Sequence, residues 1–194
     1  MCDKIFPGFE MSTNVKATID DLYRVPGKAE LVDGEIVHMS PTGAAPNYAA
    51  SEIFVSLREY SRKTKYGRAV GDNAAFRVEL PNRGSFSPDV AFHLGPWTGM
   101  KFFEGAPVFA VEVRSEGDHG AKAEVQMARK REDYFAAGTL VVWDVNLLSD
   151  DVIKCYSAEA STEPRVYRRG EVAEAEPAVP GWSMSVDALF GDEL

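Results

Sequence analysis

The sequence predicts one α/β domain, a mixed β-sheet flanked by helices, and three observations carry that expectation. Short apolar runs bounded by glycine and proline, such as 108–113 and 139–145, have the length and β-branched content of buried strands. Two longer segments, 47–65 and 119–136, carry helical patterning and fall between strand-like runs. The chain has 194 residues, 45% of them hydrophobic, enough for one proper core, and it shows no repeat, low-complexity stretch or linker.

Residues 1–16 read as an N-terminal tail and 17–194 as the domain. "TIDDLYRV" (18–25) suits a short helix. "KAELVDGEIVHMS" then holds two strand-like runs around Asp33-Gly34, a dipeptide that favours a tight hairpin. Ala50, Ile53, Phe54, Leu57 and Tyr60 recur at helical spacing, and the same helix carries Arg58, Arg62, Lys63 and Lys65, with Arg68 just beyond. Gly67 opens the extended segments "GRAVGDNAAFRVEL" and "SFSPDVAFHL", separated by the turn "PNRG". The strand "PVFAVEVR" follows a loop rich in glycine and proline. After it, Asp118 suits the N-cap of the second helix and Gly138 its C-terminal stop. "TLVVWDV" is another buried strand; "DVIKCYS", "PRVYRRG" and "PGWSMSVDALF" suggest further strands and a short closing helix.

Composition excludes several classes. A formal net charge of −9 argues against indiscriminate nucleic-acid binding while leaving room for a local basic groove. No apolar run approaches the roughly 18 to 20 residues that cross a bilayer. No signal-like run opens the chain, so the expected compartment is the cytoplasm. Cys2 and Cys155 lack metal-ligand spacing and read as free thiols, and the final "GDEL" reads as chance.

Two carboxylates stand out. Glu112 interrupts the apolar run 108–113, where an unpaired charge is costly. Strand alternation puts it on one face with Val108, Ala110 and Arg114, and puts Phe109, Val111 and Val113 on the other. Asp89 opens its own strand behind Pro88. On neighbouring strands the two would converge and repel, unless a cation lay between them. Hard carboxylate oxygens suit Mg²⁺ or Mn²⁺. The competing reading is a structural salt bridge from Glu112 to Arg114 or to a lysine of the following helix.

The order Pro-Asp, strand glutamate, helix lysine resembles the PD-(D/E)xK nuclease superfamily. Within it, "AELVDGEIVHMSPTG", "SPDVAF", "VFAVEVRSEGD", "ARKREDYFAAGTLVVWDV" and "PGWSMSVDALF" resemble, in order, the pattern of the Uma-two family of restriction endonucleases over about residues 20–190. The resemblance implies a restriction-endonuclease-like fold and a catalytic set of Glu30, Asp89, Glu112 and Lys130, with Tyr134 marking the lysine. It implies Mg²⁺, with Mn²⁺ as substitute, held by Asp89, Glu112 and the Val113 carbonyl. Lys130 would orient the attacking water or stabilise transition-state charge, and Glu30 would hold a second ion or water. DNA is the implied substrate, cut to leave a 5′-phosphate, and a homodimer the expected assembly.

Two positions depart from the pattern. Arg114 stands where the superfamily lysine usually follows the strand glutamate; it can bind phosphate or pair with an acid, but arginine cannot act as a base. Pro46 or Asn47 stands where relatives carry a histidine, and nearby His38 reads as structural. The basic residues of 58–68 with Arg165, Arg168 and Arg169 are candidates for the DNA backbone. Two other classes remain open. One is an inactive nucleic-acid- or protein-binding module on this fold, which would show no specific Mg²⁺ binding. The other is a metal-dependent hydrolase of RNA or nucleotides, which a substrate panel would expose.

Overall fold

The structure is a computed structural model that describes residues 15–191. Most of the expected tail, Cys2 and the last three residues of "GDEL" lie outside the described residues.

The chain opens with helix α1 (Ile19–Leu22), started by a capping box: Thr18 Oγ1 accepts from the Asp21 N–H at 3.3 Å and Asp21 Oδ2 from the Thr18 N–H at 2.9 Å. Strands β1 (Ala29–Val32) and β2 (Glu35–His38) form the expected hairpin, with Asp33 at φ 54° and Gly34 at φ 81°. Helix α2 (Ala44–Thr64) starts three residues earlier than the pattern suggested and stops at Lys65, φ 60°. Strands β3 (Arg68–Val70), β4 (Phe76–Leu80), β5 (Arg83–Phe86), β6 (Val90–His93), the two-residue β7 (Phe103–Glu104) and β8 (Phe109–Val113) follow. Helix α3 (Ala121–Ala136) leads to β9 (Val141–Val145), β10 (Ile153–Ser157), β11 (Ala160–Tyr167), β12 (Val172–Glu174), β13 (Ser183–Ser185) and a 3₁₀ turn over Val186–Leu189.

Two sheets replace the single sheet expected. One runs β2-β1-β5-β4-β7, the other β11-β10-β9-β8-β6-β3, and β12-β13 form a small ribbon. The chain crosses between the two large sheets at Ser87-Pro88, where proline has no N–H to continue a ladder. Asp89 is delivered at that crossing. The N-cap of α3 is also a correction: Gly120 (φ 94°) occupies it, while Asp118 accepts from the Ser115 N–H at 2.9 Å. Gly138 (φ 100°) ends α3 as expected.

The six-stranded sheet is covered on both sides, which is why β8 and β9 read as nearly continuous apolar runs. On one side, Ile53 and Leu57 of α2 pack with Phe92, Phe109, Val111 and Trp143, and Phe109 meets Trp143 edge-on at 5.2 Å. The other side carries the small residues Ala91, Ala110 and Val142, leaving room for Phe76 and Phe86 of the second sheet and for Tyr134 of α3. Phe86 and Tyr134 stack at 4.0 Å. Glu112 shares that second side, as strand alternation requires. Among the described residues no helix is long and apolar enough to cross a membrane.

Candidate active site

Four side chains that are far apart in the chain meet at the Pro88 crossing. Strands β6 and β8 are antiparallel with Val90 opposite Val111, and continuing that register by one residue sets Asp89 opposite Glu112. The Asp89 backbone N–H donates to Val111 O at 3.1 Å, and its carboxylate Oδ2 accepts from the Val113 N–H at 2.8 Å. The N–H and C=O of one strand residue point to the same edge, so the Val113 carbonyl faces Asp89 too. Glu30 arrives from β1 of the other sheet. It accepts from the Ser87 N–H at 2.8 Å through Oε1 and from Arg83 Nη1 at 2.7 Å through Oε2.

Lys130, from α3, ties the acids together. Its ammonium lies 2.8 Å from Glu112 Oε1 and 2.9 Å from Glu30 Oε1. One helical turn on, the Tyr134 hydroxyl donates to Glu112 Oε1 at 2.7 Å. Burial works against each charge here, and the balance differs by group. For Lys130 burial is outweighed by Glu112 and Glu30, and its pKa rises. Glu30 is likewise desolvated, yet Lys130 and Arg83 pull its carboxyl below the usual range. Glu112 goes the other way: burial, followed by the charges of Asp89 and Glu30, raises it despite Lys130. Tyr134 is pushed well up by burial and by Glu112, so it stays a donor.

The structure thus brings Glu30, Asp89, Glu112 and Lys130 together and leaves other candidates elsewhere. Arg114 turns to β9, whose Asp144 is the register partner of Glu112. Its Nε and Nη2 each donate to Asp144 at 2.6 Å, and Nη1 and Nη2 also engage Glu124, so its donors are taken up by acids. The basic end of α2 is at the wrong end of the sheet. Arg68 is opposite His93 because β3 is antiparallel to β6, so that cluster lies about four residues, roughly 13 Å, from Asp89. Arg165, Arg168 and Arg169 pair with Glu174, Asp151 and Asp187.

Sequence reasoning missed four neighbours, Lys28, Asp72, Arg83 and Asp133. Lys28 sits 2.6 Å from Asp89 Oδ1 and 2.6 Å from Asp72 Oδ1; its one signal was parity with Glu30, two residues on. Arg83 bridges Glu30 to Asp133, whose Oδ2 is 2.7 Å from Arg83 Nε. No local pattern marks that pair.

The donor chemistry fits a hydrated divalent cation. Five carboxylates (Glu30, Asp72, Asp89, Glu112, Asp133) share three cations (Lys28, Arg83, Lys130), a shortfall of two positive charges. Burial is the largest cause of the raised pKa of Glu112, and the charges of Asp89 and Glu30 add to it. Among the described residues no three acidic, histidine or cysteine side chains close into a cage. Mg²⁺ needs no such cage, since it commonly binds through one or two carboxylates and keeps several waters.

Comparison with known proteins agrees with this architecture. The Uma2 family, described as "Putative restriction endonuclease", matches residues 19–187. Among solved structures, the crystal structure of a "putative nuclease belonging to DUF820" from Anabaena variabilis ATCC 29413 is similar at 15% identity, with a TM-score of 0.71 over 89% of this chain and 97% of that one. At that identity the likeness concerns the fold. Among curated proteins nothing matches.

Proposed function

Because the chain belongs to the Uma2 restriction-endonuclease family, we propose that it is a metal-dependent endonuclease hydrolysing DNA phosphodiester bonds. The observation that supports this most is the meeting of Asp89 and Glu112 at the end of adjacent strands, with Lys130 and Glu30 beside them. Asp89, Glu112 and the Val113 carbonyl would hold Mg²⁺ or Mn²⁺. Such an ion supplies a polarised phosphate and a bound water of lowered pKa. Lys130 keeps its proton because Glu112 and Glu30 outweigh the opposing effect of burial, so it acts as a cation and not as a base: it neutralises charge growing on the phosphoryl oxygens. Tyr134 holds Glu112 in one orientation by its hydroxyl, and the Val113 N–H does the same for Asp89. Glu30, locked by Ser87 and Arg83, sets the place of Lys130.

The acidic surroundings bear on the substrate. With the basic end of α2 far from the site, contacts to the DNA backbone would come from a second copy or from few cations, and a homodimer would also bring two sites to two strands. Incubating supercoiled plasmid with the protein and Mg²⁺ or Mn²⁺ tests the reading, with Asp89→Ala as control. Cleavage should require both metal and Asp89. Cleavage of RNA but not plasmid would move the substrate to RNA. Neither cleavage nor specific Mn²⁺ binding would leave a binding module on this fold.

A further inference from the structure

Lys28 and Lys130 are unequal partners of the acid cluster. Lys130 is held between two carboxylates, Glu30 and Glu112, with side chains 4% and 13% exposed. Lys28 is shared between Asp89, 15% exposed, and Asp72, which is 44% exposed on the turn after β3. Both of its contacts are 2.6 Å. The Val113 N–H occupies Asp89 Oδ2, so Lys28 covers the carboxylate oxygen that no backbone group engages. A divalent cation and an ammonium cannot both sit against one oxygen without strong repulsion. Asp72 already holds the same ammonium, so Lys28 can leave Asp89 without losing its charge partner.

We infer that Lys28 and Asp72 form a latch: Lys28 holds Asp89 in the cation-free protein and shifts wholly onto Asp72 when Asp89 takes a divalent ion. This rests on Asp89 being a cation ligand. It assigns Asp72 a role although Asp72 is no ligand itself: it is a positioning residue that acts only through Lys28.

Calorimetric titration of the full chain with Mn²⁺, using Lys28→Met, Asp72→Asn and the double variant, tests the latch. Lys28→Met should bind on the order of tenfold tighter, and Asp72→Asn on the order of tenfold weaker. Simple Coulomb effects predict those signs too, so the double variant decides. If Asp72 acts through Lys28, the double variant matches Lys28→Met; an additive result overturns the latch, as does a Lys28→Met protein that binds no tighter. Should Lys28→Met fail to fold by circular dichroism, Lys28→Gln takes its place in the cycle. Mn²⁺ binding to none of the four would sink the metal reading itself. A silent wild type beside a binding Lys28→Met would support the latch in its strongest form.

Discussion

Lys130 reaches Glu112 from the helix that follows the strand, its ammonium 2.8 Å from Glu112 Oε1, while Arg114, two residues from Glu112, is wholly engaged by Asp144 and Glu124. The cation paired with Glu112 therefore comes from α3. Lys130→Ala should lower plasmid cleavage by about 10² to 10³ and leave Mn²⁺ binding largely in place. Normal cleavage by Lys130→Ala would sink this assignment.

Arg114 should matter for stability. Its side chain and that of Asp144 are each 3% exposed, so deleting the guanidinium strands a buried carboxylate next to Glu112. Urea unfolding of Arg114→Met should show a loss of about 3 to 5 kcal/mol. At temperatures where the variant is folded, its affinity for DNA should match the wild type. Unchanged stability with weakened DNA binding would return Arg114 to the phosphate.

His93 should make the fold acid-sensitive. The residue is 2% exposed, and neither ring nitrogen has a hydrogen-bond partner among the described residues. Burial, then the neighbouring Arg68 charge, holds its pKa below the ordinary value. Above about pH 6.5 both the folded and unfolded imidazoles are neutral. Below that pH the unfolded chain takes up a proton that the folded chain refuses, so stability falls until the depressed folded pKa is passed. His93→Gln should remove this component. The gap between the urea midpoints of wild type and variant should therefore shrink from pH 7.5 to pH 5.5. A constant gap would mean that His93 does not titrate differently in the two states.

Cys155 should resist alkylation. Burial pushes its thiol up to about 11. At pH 8 about one molecule in a thousand then carries the thiolate, against roughly a quarter for an unperturbed cysteine. In a Cys2→Ser background, labelling by iodoacetamide followed by mass spectrometry should run on the order of 10²-fold slower in the native protein than in urea. Equal rates would contradict a raised thiol pKa in the folded protein.

Much of this site was legible because its signals are local. Strand alternation alone put Glu112 on the face opposite Phe109, Val111 and Val113, and the four-residue step from Lys130 to Tyr134 put both on one helical stripe. The Asp33-Gly34 hairpin and the Gly138 stop are likewise written in adjacent residues, as backbone geometry that few residue types allow.

The rest depended on which strands became neighbours. Arg114 found Asp144 because β9 lies parallel to β8 in a register that matches Glu112 with Asp144, and no spacing along the chain encodes that register. Lys28, Arg83 and Asp133 entered the acid cluster because the chain changes sheets at Pro88 and lays β1 and β5 over the second face. The antiparallel pairing of β3 with β6 carried the basic end of α2 away from Asp89. Periodicity tells a side chain which face to take. Its charge partners are chosen by long-range strand pairing and by the cost of leaving a buried charge alone, and both act only once the sheets have closed on each other.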